Sequence, residues 1–154
     1  MRAGGGPTLT KMTSSTPKFT PQKITTFLMF EGQAEEAMTY YLSLFDDAEV
    51  LDITRYGPDT PGHGKEGTVQ HATFALAGQQ FMCIDSPAHH EFGFTPAVSL
   101  FVRCDSEAEL DRLYAGLTEG GGATLMPPDS YGFSPKFAWV NDRFGVSWQL
   151  NLPA

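Results

Sequence analysis

The chain has 154 residues, 41% of them hydrophobic and twelve of them Phe, enough for one well-buried core and short for two independent domains. Its formal charge of -8 would repel phosphate backbones and anionic lipid, which argues against nucleic acid and membrane surfaces as partners. Only Cys83 and Cys104 occur, both inside apolar strand patterns, which suits buried reduced thiols of a cytoplasmic protein, and no apolar run reaches the roughly 18 residues of a spanning helix.

Residues 1–21 are rich in Gly, Ser, Thr and Pro and lack an apolar core, so they read as a disordered lead and not a secretion signal, with Met12 an alternative start. Residues 24–30, ITTFLMF, form a strand. The run AEEAMTYYLSLF that follows places Ala34, Ala37, Met38, Tyr41, Leu42 and Phe45 on one helical stripe. Gly32 is its expected N-cap, Glu35 and Glu36 favour the positive end of the helix dipole, and Asp46-Asp47 ends it. AEVLDITRYG is a further strand, and GPDTPGHGKEG, from Gly57 to Gly67, is a loop that either serves as a lid or dimer arm or is a plain surface connection. TVQHATFALAG and QQFMCID make a hairpin turning at Ala77-Gly78. SPAHHEFGFTP links onward.

AVSLFVRC opens a second series. In DSEAELDRLYAGLTEGGG, Ser106 and Glu109 have capping-box spacing, Leu110, Leu113, Tyr114 and Leu117 make the buried stripe, and Gly120 to Gly122 end the helix. ATLMPPDSYG is a strand that Pro127-Pro128 confine to an edge or bulge. FAWVND and VSWQLNL close the series as a hairpin around Arg143-Phe144-Gly145.

The two series share one grammar. An offset of roughly 73 positions brings Gly32 onto Asp105, Ala37 onto Leu110, Tyr40 onto Leu113, Tyr41 onto Tyr114 and Leu44 onto Leu117. Residues 22–152 therefore read as one α+β domain of two β-α-β-β-β units, about 24–85 and 97–152, whose curled mixed sheet encloses a cleft. This plan resembles the vicinal oxygen chelate superfamily of glyoxalase I, extradiol dioxygenases and bleomycin-resistance proteins. The segments ITTFLMFEGQAEEAMTYYLSLF, GTVQHATFALAGQQFMCIDS and FAWVNDRFGVSWQL are similar to its PhnB-like branch, whose members carry the name 3-demethylubiquinone-9 3-methyltransferase.

The resemblance implies a dimer, and it implies metal ligands on the first and last strands of each unit. Those positions fall on or beside Thr26, Ser99, Met82 and Gln149, a set of weak neutral donors, so no metal or other cofactor is expected, with a divalent metal as the alternative. The expected ligand-binding cleft is lined by Thr26, Leu28, Met82, Ser99, Phe101, Trp139 and Gln149, with Phe30 on its apolar wall and Ser147 and Asn151 beside Gln149. Trp148 and Leu150 face the helix. Such a cleft suits a small hydrophobic or aromatic molecule.

His71 is either a catalytic acid or base in that cleft or a hydrogen-bonded structural residue. His63, His89 and His90 are expected at the surface, and Arg55 and Arg103 in surface ion pairs or on an anionic substrate group. The leading reading is a metal-independent small-molecule-binding homodimer. The alternatives are a glyoxalase-like or other enzyme of lyase, isomerase or transferase type using His71 or a metal, and an interaction module with a filled cleft. Methyl transfer from adenosylmethionine is not expected, because no Gly-rich turn follows the first strand of a doubly wound sheet.

Overall fold

The computed structural model describes residues 19–58 and 64–154, so most of the expected lead, Met12 and His63 lie outside the described residues. The chain divides into two compact units that part between Ala88 and His89. Among the described residues, no helix is long and apolar enough to cross a membrane.

The first unit comprises β1 (Thr26–Phe30), α1 (Ala34–Leu44), β2 (Ala48–Arg55), β3 (Val69–Leu76) and β4 (Gln79–Asp85). Its sheet runs β1-β4-β3-β2, with β1 parallel to β4 and the other pairs antiparallel. The β3–β4 hairpin turns on Ala77 and Gly78, both at positive φ (50° and 83°), the backbone that a two-residue turn needs to match strand twist. Helix α1 buries Ala34, Ala37, Met38, Tyr41 and Leu44. Leu42 and Phe45, expected on that stripe, are only half-buried, Phe45 lying just past the helix end at Leu44.

The expected Gly32 cap is replaced by a longer-range device. Gln33 occupies the N-cap position without a side-chain bond, and Gly32 stands at φ 112°. The buried carboxylate of Asp85, at the end of β4, accepts instead from the N–H groups of Gly32 (2.8 Å), Ala34 (2.9 Å) and Val69 (2.9 Å). One side chain thus satisfies orphan donors of the helix start and ties α1 to two strands. The buried Tyr56 hydroxyl adds a bond to the Asp85 carbonyl at 3.0 Å.

The second unit repeats the order with β5 (Ser99–Arg103), α2 (Glu107–Thr118), β6 (Ala123–Asp129), β7 (Lys136–Asn141) and β8 (Ser147–Leu152), arranged β5-β8-β7-β6. Here the local cap holds: Ser106 Oγ accepts from Glu109 N–H at 3.1 Å, and Glu109 reaches back to the Asp105 N–H at 2.7 Å. Leu110, Leu113 and Leu117 are fully buried, while Tyr114 is half-buried with its hydroxyl 2.9 Å from Thr124 Oγ1. The helix closes at Glu119, ahead of the glycines, of which Gly120 and Gly121 take positive φ. Strand β6 lies at the sheet edge with register breaks either side of Met126, the irregularity that Pro127-Pro128 call for. Asp142 locks the last turn, accepting from Phe144 and Val146 N–H and from the Trp148 indole at 2.9 Å.

Candidate functional site

Each helix covers one face of its own sheet, and strand alternation turns the other side chains to the opposite face, here called the open face, where Phe27 and Phe101 are exposed while Thr73, Phe137 and Ser147 are buried. In the second unit the registers lay out that face as three cross-strand rows. Ser99, Ser147, Asn141 and Ala123 form one; Phe101, Gln149, Trp139 and Met126 the next; Arg103, Asn151, Phe137 and Asp129 the third. Trp148, Leu150, Ala138 and Val140 lie beneath α2 and are buried. The middle row is the flattest and greasiest part of the face, with Phe101 60% exposed. Its polar heads lean toward the first row: Gln149 Nε2–H donates to Ser99 Oγ at 2.7 Å and the Trp139 indole to Ser147 Oγ at 2.8 Å. Tyr131 and Phe133, from the β6–β7 loop, close over Phe137 with ring centroids 6.0 and 5.1 Å away.

In the first unit the open face carries Phe27 paired with Met82, Met29 paired with Ile84, and Thr73 across from Met82. Thr26 and Leu28 were expected in the cleft, but the structure puts them, with Phe30, on the helix side, where Leu28 and Phe30 are buried opposite Cys83 and Asp85. The cause is a one-residue difference between the units. Phe30 is followed by three residues before α1 begins at Ala34, whereas Cys104, its buried counterpart, is followed by only two before Glu107. An alignment set by the helices is therefore out of step by one on the first strands, and one step exchanges the faces of a strand. The register match is Phe27 with Phe101 and Met82 with Gln149.

His71 lies half-buried on the open face of the first unit, across from Thr54 on β2, with its ring centroid 6.0 Å from that of Phe27. His89 is exposed, and His90, half-buried, lies 4.9 Å from the Phe92 ring. Arg55 pairs with Glu35, and Arg103 with Asp105 at 2.7 Å, all at the surface. The cysteines are core residues. Burial, helped by the Asp85 charge, pushes the Cys83 thiol up to about 12, and burial with Glu109 pushes Cys104 up to about 11, so neither is a thiolate nucleophile near neutrality. The Asp85 and Asp142 knots were not anticipated, since their N–H partners lie up to 53 residues away or in a turn that periodicity does not describe.

Of the four positions where the resemblance led metal ligands to be expected, Met82, Ser99 and Gln149 lie on the faces away from the helices, and Thr26 does not, its place there being taken by its neighbour Phe27. Phenyl, thioether, hydroxyl and carboxamide groups do not fit a divalent transition metal, which wants imidazole, carboxylate or thiolate. Among the described residues, no three His, Cys, Asp or Glu side chains come together as a metal-holding group.

Two four-stranded mixed sheets, each backed by one helix, define the glyoxalase/bleomycin resistance/dioxygenase fold. Solved structures share it at low identity: such a domain from Frankia sp. EAN1pec (15% identity, TM-score 0.61, covering 89% of this chain and 100% of that one) and the fosfomycin resistance protein FosX of Listeria monocytogenes complexed with Mn(II) and sulfate (12%, 0.54, 88% and 93%). Within that class, residues 22–151 match the 3-demethylubiquinone-9 3-methyltransferase family, and the chain belongs to it. A PhnB protein from Bacillus cereus is 61% identical, with a TM-score of 0.81 over 85% of this chain and 99% of that one. No curated protein matches the chain.

Proposed function

We propose that this chain is a metal-independent small-molecule-binding protein of the PhnB-like branch, acting as a cytoplasmic homodimer, and that its ligand lies on the open sheet faces. The observation that carries the reading is the pairing of an exposed phenyl ring with a neutral soft or polar side chain at matching places in both units, Phe27 with Met82 and Phe101 with Gln149. Such a surface gives a flat apolar ligand contact area and orientation without supplying a nucleophile or a Lewis acid. Two further matching residues, Ile24 (85% exposed) and Val98 (73% exposed), precede the edge strands β1 and β5, and their exposure supports a second copy as cover. Reduced buried cysteines support the cytoplasmic setting.

A second reading is favoured by one observation, the placement of His71 on the open face beside Phe27: it is then an acid or base acting on a bound ligand. The test is a thermal-shift screen of the full chain against quinones, α-ketoaldehyde adducts and aromatic antibiotics, before and after chelator treatment. A ligand at about a hundredfold over its Kd is expected to raise Tm by roughly 5–10 °C. The rise should survive the chelator, and a rise that the chelator abolishes refutes metal independence. His71→Gln separates the two readings, because acid–base chemistry stops with binding retained if His71 is catalytic.

A further inference from the structure

On the second unit's open face, two observations identify the kind of ligand. The first is an orphan acceptor. Asn141 Oδ1 is buried without a hydrogen-bond partner, at the end of β7 and directly across from Ser147. A buried amide oxygen without a donor is costly in a finished core, so such atoms call for a missing donor. The second is the arrangement of the serines beside it. Ser99 Oγ accepts from Gln149 and Ser147 Oγ accepts from Trp139, so each hydroxyl still has its own proton to give. Adjoining rows thus offer one oxygen that needs a donor, two hydroxyls that need an acceptor, and the flat side chains of Phe101 and Trp139.

A single group that both donates and accepts, attached to a planar ring, meets all of these demands. These two rows hold no charged side chain, so an ionised group would lie there without a counter-charge. Building on the function proposed above, we infer that the Ser99–Ser147–Asn141 row selects an uncharged aromatic ligand bearing a phenolic hydroxyl, whose proton goes to Asn141 Oδ1 while the ring lies on Phe101 and Trp139. The side-chain fit is local to this unit. The first unit's face has Gln80 and Ala75 in the corresponding places, with no counterpart of the serine pair.

The probe is 2-naphthol, with 2-methoxynaphthalene, which cannot donate, and 2-naphthoate, which is anionic, as controls. Binding to the full chain is read from the two tryptophan indole N–H resonances. Trp139, on the open face, should shift with 2-naphthol while Trp148, buried beneath α2, should not. The methyl ether should bind at least about tenfold more weakly, and 2-naphthoate should not compete. Asn141→Leu, which replaces the orphan acceptor by a similar apolar volume, should lower 2-naphthol affinity to that of the ether and leave the ether unchanged. If the variant fails to fold, the comparison of the probes on the native chain decides alone. Equal binding of 2-naphthol and its ether at Trp139 overturns the hydroxyl selection and leaves the small-molecule-binding function standing. No shift of Trp139 with any of the three overturns the inference and counts against that function too.

Discussion

Asp85 is the residue whose removal should cost this protein most. It is 2% exposed, and its carboxylate serves three backbone donors from the β1–α1 connection, the helix start and β3. Asp85→Ala leaves those donors buried and unpaired, so we expect a loss of about 3–5 kcal/mol of stability by urea denaturation. A loss below about 1 kcal/mol would show that water or neighbouring carbonyls replace it. Cys83, two residues away, gives a pH signature. Its folded pKa of about 12 lies above the ordinary thiol value of 9.0, so the folded state holds the proton more tightly than the unfolded chain does. Its contribution is complete below pH 9 and is lost as pH rises toward 12, at up to about 1.4 kcal/mol per pH unit. Cys83→Ala should therefore flatten the alkaline arm of the stability profile, and the native thiol should resist iodoacetamide at pH 7.5 until the chain unfolds.

At the level of elements, strands and helices were legible because their signals are local: the stripe from Leu110 to Leu117, the Ser106–Glu109 spacing, and the Ala77-Gly78 turn each fall within a few residues. The face of β8 was legible too, since parity sets Gln149 opposite Trp148 and Leu150, and the registers then align Ser99, Phe101 and Trp139 on the side of Gln149. The face of β1 was not. Periodicity gives a strand two faces without saying which one the helix covers, and the deciding fact is the length of the connection to α1, which differs by one residue between units. Substitution tests this assignment. Leu28→Lys buries a charge under α1 and should destabilise by more than about 4 kcal/mol, whereas Phe27→Lys, one residue earlier and 48% exposed, should cost less than about 1 kcal/mol in thermal or urea unfolding. The reverse order would return the β1 face to the assignment read from the helix offset.

For the molecule as a whole, the duplicated β-α-β-β-β plan places the chain in its fold and family, while the chemistry of the open faces sets what it can do there. The fold is held by groups that are invisible to pattern, such as Asp85 reaching back across the unit; His71 was named from the sequence without being placed, and the buried Asn141 Oδ1 was not anticipated at all. FosX of Listeria monocytogenes, which shares the fold, was solved with Mn(II) and sulfate, whereas here the first unit's face holds Phe27 and Met82 and the second unit's face holds Ser99 and Gln149. On the function proposed above, whether such a face orients a guest or activates it depends on a few side chains of a shared scaffold. Elemental analysis of the full chain, purified without chelator, tests it most directly. Nickel, zinc, iron and manganese are each expected well below one atom per chain; any of them bound at one per chain, and removed only with loss of ligand binding, would overturn metal independence.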